Sequence, residues 1–166
     1  MPSNFVIRWW VFSTVLMLLL NTPPTLQAEE NQKLQELEVL GVSADPGGQL
    51  RLLLRGKTDK RGITMYIGQF EAIGIALPLE GVEPPRPYTH DLILNLLKSL
   101  RATLTKVVIS DLKGNTYYAT LYLQVNGREI RMDSRPSDAI ALALRAKAPI
   151  LAAEPAFQTP SGEEKP

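Results

Sequence analysis

Along residues 35–67 apolar side chains come in short runs interleaved with polar ones, a spacing that predicts three strands, over 35–42, 49–55 and 63–67. Asp45-Pro46-Gly47-Gly48 supplies the turn between the first two. The period then changes. Phe70, Ile73, Ile75 and Leu77 lie among alanines, which predicts a buried helix over 70–77 that stops at Pro78. Ile93, Leu96, Leu97 and Leu100 follow at i, i+3, i+4 and i+7, with Asp91, Asn95, Lys98 and Arg101 on the other side. This predicts an amphipathic helix with Thr89 as its N-cap and Asp91 in its first turn.

From Leu104 the alternation of strands returns, and Tyr117, Ala119, Leu121, Leu123 and Val125 should share one face. Asn126-Gly127 is a preferred two-residue hairpin turn, so 128–133 should fold back beside that strand. A period of two sets Arg128, Ile130 and Met132 on one face and Glu129, Arg131 and Asp133 on the other. Pro136 suits the first position of a helix and Asp138 its first turn. The run Ala139-Ile140-Ala141-Leu142-Ala143-Leu144 has too little polar surface to lie on water, so this helix should be central, packed on the sheet or against another subunit. These elements predict an α+β fold: a single domain whose largely antiparallel or mixed sheet is packed with about three helices.

Residues 1–28 stand outside that domain. Arg8 precedes an uncharged run from Trp9 to Leu20, and a short polar stretch ends at Ala28, the pattern of a secretory signal peptide. The run is too short for a comfortable membrane span, which needs about 20 residues. The expected organisation is a signal over 1–28, a domain over 29–157 and a disordered tail over 158–166, rich in Pro, Glu and Gly. The product should be periplasmic or extracellular, with no stable membrane insertion once the signal is cut.

Composition narrows the chemistry. The chain has no cysteine, so disulfides, thiol nucleophiles and cysteine-based zinc sites are excluded. The full chain carries 18 basic and 17 acidic residues, and loss of residues 1–28, with Arg8 as their one charge, makes the two equal. Such a chain has no global field for phosphate, so nucleic acid would need a local basic patch including Arg131 and Arg135. No HExxH pair, glycine-rich phosphate loop or serine elbow is present.

Chemistry must then come from scattered acids, arginines and the single histidine. Glu71, Asp91, Asp111, Asp133 and Asp138 are candidates for activating water or holding a divalent cation such as Mg2+ or Mn2+, with Asp133 and Asp138 as the metal pair. His90 is a candidate general acid or base, and Arg135 a phosphate clamp, with Thr89, Ser137 and Arg131 beside it. Each has a structural alternative: helix-start acids at Glu71, Asp91 and Asp138, a turn former at Asp111, a cap at Ser137, an ion pair between Asp133 and Arg135.

Two polar helix starts, Asp133-Ser134-Arg135-Pro136-Ser137-Asp138-Ala139-Ile140 and Arg86-Pro87-Tyr88-Thr89-His90-Asp91-Leu92, carry most of these residues. With Ile67-Gly68-Gln69-Phe70-Glu71-Ala72, Val107-Val108-Ile109-Ser110-Asp111-Leu112, Tyr117-Tyr118-Ala119-Thr120-Leu121, Leu142-Ala143-Leu144-Arg145 and Ala148-Pro149-Ile150, the chain resembles the bifunctional nuclease domain family from about residue 37 to 157. The resemblance implies hydrolysis of both DNA and RNA by an α+β domain that commonly self-associates. A secretory signal is unusual for such a domain. The expected function is therefore an exported, homo-oligomeric, metal-assisted nuclease; the alternative is a noncatalytic envelope module that binds a small anion or a partner protein.

Overall fold

The computed structural model describes residues 33–158. The expected signal peptide and nearly all of the expected tail lie outside these residues. Strands β1 (Gln35–Ala44), β2 (Leu50–Gly56) and β3 (Gly62–Tyr66) come first, then helices α1 (Gln69–Leu79) and α2 (Thr89–Ser99). Strands β4 (Ala102–Lys113), β5 (Thr116–Val125) and β6 (Arg128–Ser134) follow, then α3 (Pro136–Ala146), β7 (Ile150–Ala152) and a 3-10 turn at Glu154–Phe157.

All seven strands form one sheet in the order β3-β2-β1-β7-β4-β5-β6. The two three-stranded meanders are joined by β7, antiparallel to β1 and parallel to β4. That makes the sheet mixed, in the α+β fold that the pattern predicts. At the hairpin, Asn126 and Gly127 have φ of 48° and 79°, the left-handed backbone that a tight turn between twisted strands requires. Leu121 therefore pairs with Met132 and Leu123 with Ile130, the register expected from the alternation.

The core lies where the apolar face of the sheet meets α3. Leu52, Leu54, Val107, Ile109, Ile140 and Ile75 are fully buried, and α3 is buried continuously from Ala139 to Ala143. Its alanines let α1 and the sheet approach closely, and α1 and α2 both pack against it.

Two expectations about the other helices need correction. Helix α1 runs through Pro78 and buries only Ala72, Gly74 and Ile75, while Phe70 is 86% exposed. Proline has no N–H for the carbonyl four residues back, here Gly74. That carbonyl instead accepts from Arg145 Nη1 at 2.6 Å, and the same nitrogen donates to Ala141 O at 2.9 Å, so a side chain from α3 makes good the missing bond. In α2 the packed residues are Leu94 and Leu97, whereas Leu92, Ile93, Leu96 and Leu100 face outward. Its predicted apolar stripe is mostly a surface stripe.

Candidate active site

Each helix places an acid at its third position: Glu71 in α1, Asp91 in α2 and Asp138 in α3. A carboxylate there faces the positive end of the helix dipole, which gives all three a local stabilising role. Their partners then separate them. Asp91 Oδ2 accepts the Tyr88 N–H at 2.9 Å, and its Oδ1 accepts from Arg145 Nε at 2.7 Å. Tyr88 is thus the N-cap of α2 and Thr89 its first residue, so the helix starts one place earlier than predicted. Asp91 is turned toward the helix junction instead of the cleft.

Glu71 and Asp138 meet at Arg135, the N-cap of α3. Arg135 holds Asp138 with two N–H groups, Nε to Oδ2 at 2.6 Å and Nη2 to Oδ1 at 3.1 Å, and gives Nη1 to Glu71 Oε1 at 2.8 Å. The expected Asp133–Arg135 pair is replaced by this bridge. Three of the five guanidinium N–H bonds are committed and two remain.

Asp138 also faces His90, whose Nε2 lies 3.2 Å from Oδ1. Burial opposes ionisation of Asp138, but hydrogen bonds from Arg135 and then His90 outweigh it, so its carboxyl is held below its ordinary value of 3.8. The pairing in turn raises Arg135 further above the usual guanidinium range, with Asp138 as the larger cause and Glu71 the next. An ionised Asp138 accepts, which makes Nε2 the donor and Nδ1 the basic atom of neutral His90. The ring is only 15% exposed.

Gly74 makes room for that ring. A methyl group at position 74 would lie 3.0 Å from His90 Cε1 and 3.3 Å from Nδ1. The imidazole is therefore held between α1 and α3, with its basic edge toward Gly74. In the sequence Gly74 is one glycine inside the predicted helix, four residues before Pro78, and nothing local marks it as a neighbour of His90.

These groups line one cleft of about 750 Å³, together with Thr89 and Asp133 and an apolar side made by Phe70, Ile73, Ile93 and Met132. Glu71, Thr89, His90, Arg135 and Asp138 are thus brought together; Asp133 borders the cleft from a strand whose alternation sets its side chain on the Arg131 face, and the other candidates lie elsewhere. Arg131 pairs with Glu129 at 3.2 Å and lies over the Tyr122 ring on the other face of β6. Asp111 is a strand residue at an irregularity in β4, no turn former, and it pairs with Lys113, which lowers its pKa. Ser137 is buried at the second position of α3 and lines a neighbouring cavity.

The expected metal pair, Asp133 and Asp138, does not fit this arrangement. Both oxygens of Asp138 are engaged by Arg135, and one by His90 as well, where a hard cation needs oxygens free to coordinate. Among the described residues no group of three or more His, Asp or Glu side chains could hold an ion.

Comparison with known proteins bears on this site. The family model of the bifunctional nuclease domain matches residues 52–163, which include every residue of the cleft. An uncharacterized protein of Mycobacterium tuberculosis is 45% identical over 120 residues, 72% of this chain and 71% of the relative. Bifunctional nuclease 1 of Oryza sativa subsp. japonica is 32% identical over 91 residues, 53% of this chain but 28% of the plant protein.

Proposed function

The chain belongs to the bifunctional nuclease domain family, and we propose that it hydrolyses phosphodiester bonds of DNA and RNA in the cleft built around His90. The observation that carries this reading is the chain of contacts from Arg135 to Asp138 to His90, a base oriented by a carboxylate that is itself held in place. In the step we propose, His90 Nδ1 takes a proton from water as the water oxygen bonds to phosphorus. The bond to the leaving sugar oxygen breaks, and that oxygen takes a proton from solvent. The two uncommitted N–H groups of Arg135 donate to the non-bridging oxygens, where negative charge grows. No part of this step uses a metal.

A noncatalytic binding module is the second reading, because the two acids Glu71 and Asp138 outnumber Arg135 and leave the cleft acidic. Hydrolysis of single-stranded DNA and RNA, with Mg2+, Mn2+ or chelator, tests the two. Loss of a positioned general base costs about 10²- to 10⁴-fold, so His90→Ala should lower the rate by at least 10²-fold, with Asp138→Asn also impaired. Equal cleavage by folded variants and parent would refute the assignment and favour the binding module. A requirement for added metal would refute the metal-free step.

Two further parts of the proposal rest on other features. Residues 1–28 serve as an export signal, which mass spectrometry of the secreted or periplasmic product would test through its first residue. The protein also self-associates through α2, where Leu92, Leu96 and Leu100, spaced four residues apart, are 62%, 57% and 61% exposed.

A further inference from the structure

A second cavity, of about 720 Å³, lies on the other side of the Arg135–Glu71 pair. Both residues line both cavities, so the 2.8 Å ion pair is the partition between them. The second cavity is formed where β3 passes into α1, where β4 turns into β5 and where α3 begins. Its size falls within the roughly 300–1,000 Å³ usual for small-molecule sites.

The lining differs from that of the His90 cleft. Apart from the partition pair no charged side chain contributes, and Gln49, Thr64, Asn115 and Thr116 supply amides and hydroxyls. Two tyrosines complete it. Tyr117 lies on the core-facing side of β5 and packs on the core, so its ring is a fixed wall, while Tyr66 is 55% exposed at the end of β3. A neutral, flat group with hydrogen-bonding edges suits such a lining, and a second phosphate or a cation does not.

We propose that this cavity binds the nucleobase of the nucleotide next to the scissile phosphodiester, so that a single strand crosses the Arg135–Glu71 partition with its phosphate at Arg135. The proposal rests on the nuclease reading for its substrate class, and it deepens that reading by assigning a base subsite. Aromatic stacking tolerates any base, and the amides and hydroxyls add preference through base edges. The base is then held on one side of Arg135 and the proton chemistry of His90 takes place on the other.

The test uses the full chain and four probes: adenosine 5′-monophosphate, adenosine 3′-monophosphate, ribose 5-phosphate and inorganic phosphate, each titrated while backbone NMR signals are followed. The nucleotides should shift Thr64, Tyr66 and Thr116 at concentrations where the base-free probes leave them unmoved. Thr116→Arg, which fills the cavity from the exposed first residue of β5, and Tyr66→Ala should each weaken nucleotide binding at least about tenfold. Equal shifts by ribose 5-phosphate, shifts confined to the His90 cleft, or unchanged binding in both variants would overturn the subsite. The two readings fail separately. Nucleotide bound in this cavity without any hydrolysis leaves the subsite and removes the nuclease, whereas hydrolysis by a protein whose second cavity ignores nucleotides does the reverse.

Discussion

Arg145 joins all three helices, and replacing it with methionine should show how far α1 depends on it. The side chain is 9% exposed, pairs with Asp91 and supplies the bond that Pro78 denies to Gly74 O. Methionine keeps much of the apolar stem but no donor, so the variant loses a part-buried ion pair and leaves a carbonyl unmet. Breaking a buried pair costs about 3–5 kcal/mol, and partial exposure of Asp91 places this one near 3 kcal/mol. Of that, about 1–2 kcal/mol belongs to the orphaned carbonyl. Pro78→Ala restores an N–H that can reach Gly74 O, so Arg145→Met should be about 1–2 kcal/mol milder when combined with Pro78→Ala than alone. Urea unfolding of the parent, the two single variants and the double variant measures this. With a slope of about 1–3 kcal/mol per molar, the coupling moves the midpoint by roughly 0.3–2 M. Additivity within about 0.5 kcal/mol would refute the claim that Arg145 substitutes for the missing backbone donor.

Gly74→Ala should change stability by less than about 1 kcal/mol, since alanine favours helix while its methyl crowds His90. Hydrolysis should fall about tenfold as the imidazole shifts by a few tenths of an ångström, and an unchanged rate would place the reactive edge of His90 elsewhere. The lowered pKa of Asp138 means that its stabilising contribution is complete above its unfolded value of 3.8 and disappears as pH falls through the lower folded value. Acid unfolding below pH 3.8 should therefore be steeper in the parent than in Asp138→Asn; equal slopes would show that Asp138 does not report folding. Gly127→Val, at a residue with φ of 79°, should destabilise by about 1–2 kcal/mol in thermal unfolding, and no effect would exclude the tight hairpin turn. Leu96→Glu should lower the mass found by light scattering to that of one chain if α2 is the contact surface, and an unchanged oligomer would move that contact elsewhere.

Local rules made much of the fold legible. The alternation in β5, the Asn126-Gly127 turn and the register of β6 are decided by residues close in the chain, as are Pro136 at the start of α3 and the burial of its alanines. Strand β7 was not readable, because three residues carry no period, and its place at the centre of the sheet depends on edges contributed by β1 and β4. The stripe on α2 was readable as apolar but not as exposed, since amphipathicity says that a face seeks cover and does not say what covers it.

The site divides in the same way. Sequence alone determined which acids begin helices, that His90 stands beside one such start, and that no cysteine chemistry exists, because these follow from residue type and local spacing. Tertiary structure decided which arginine each acid meets: Arg135 takes Glu71 and Asp138, 64 and three residues away, while Arg145 takes Asp91, 54 residues away. The face of Arg131 follows from the alternation of β6 alone, whereas tertiary structure also set Gly74 against His90. Those outcomes depend on where helices cross, and crossing is fixed by the packing of distant apolar surfaces, which no local window of the chain contains.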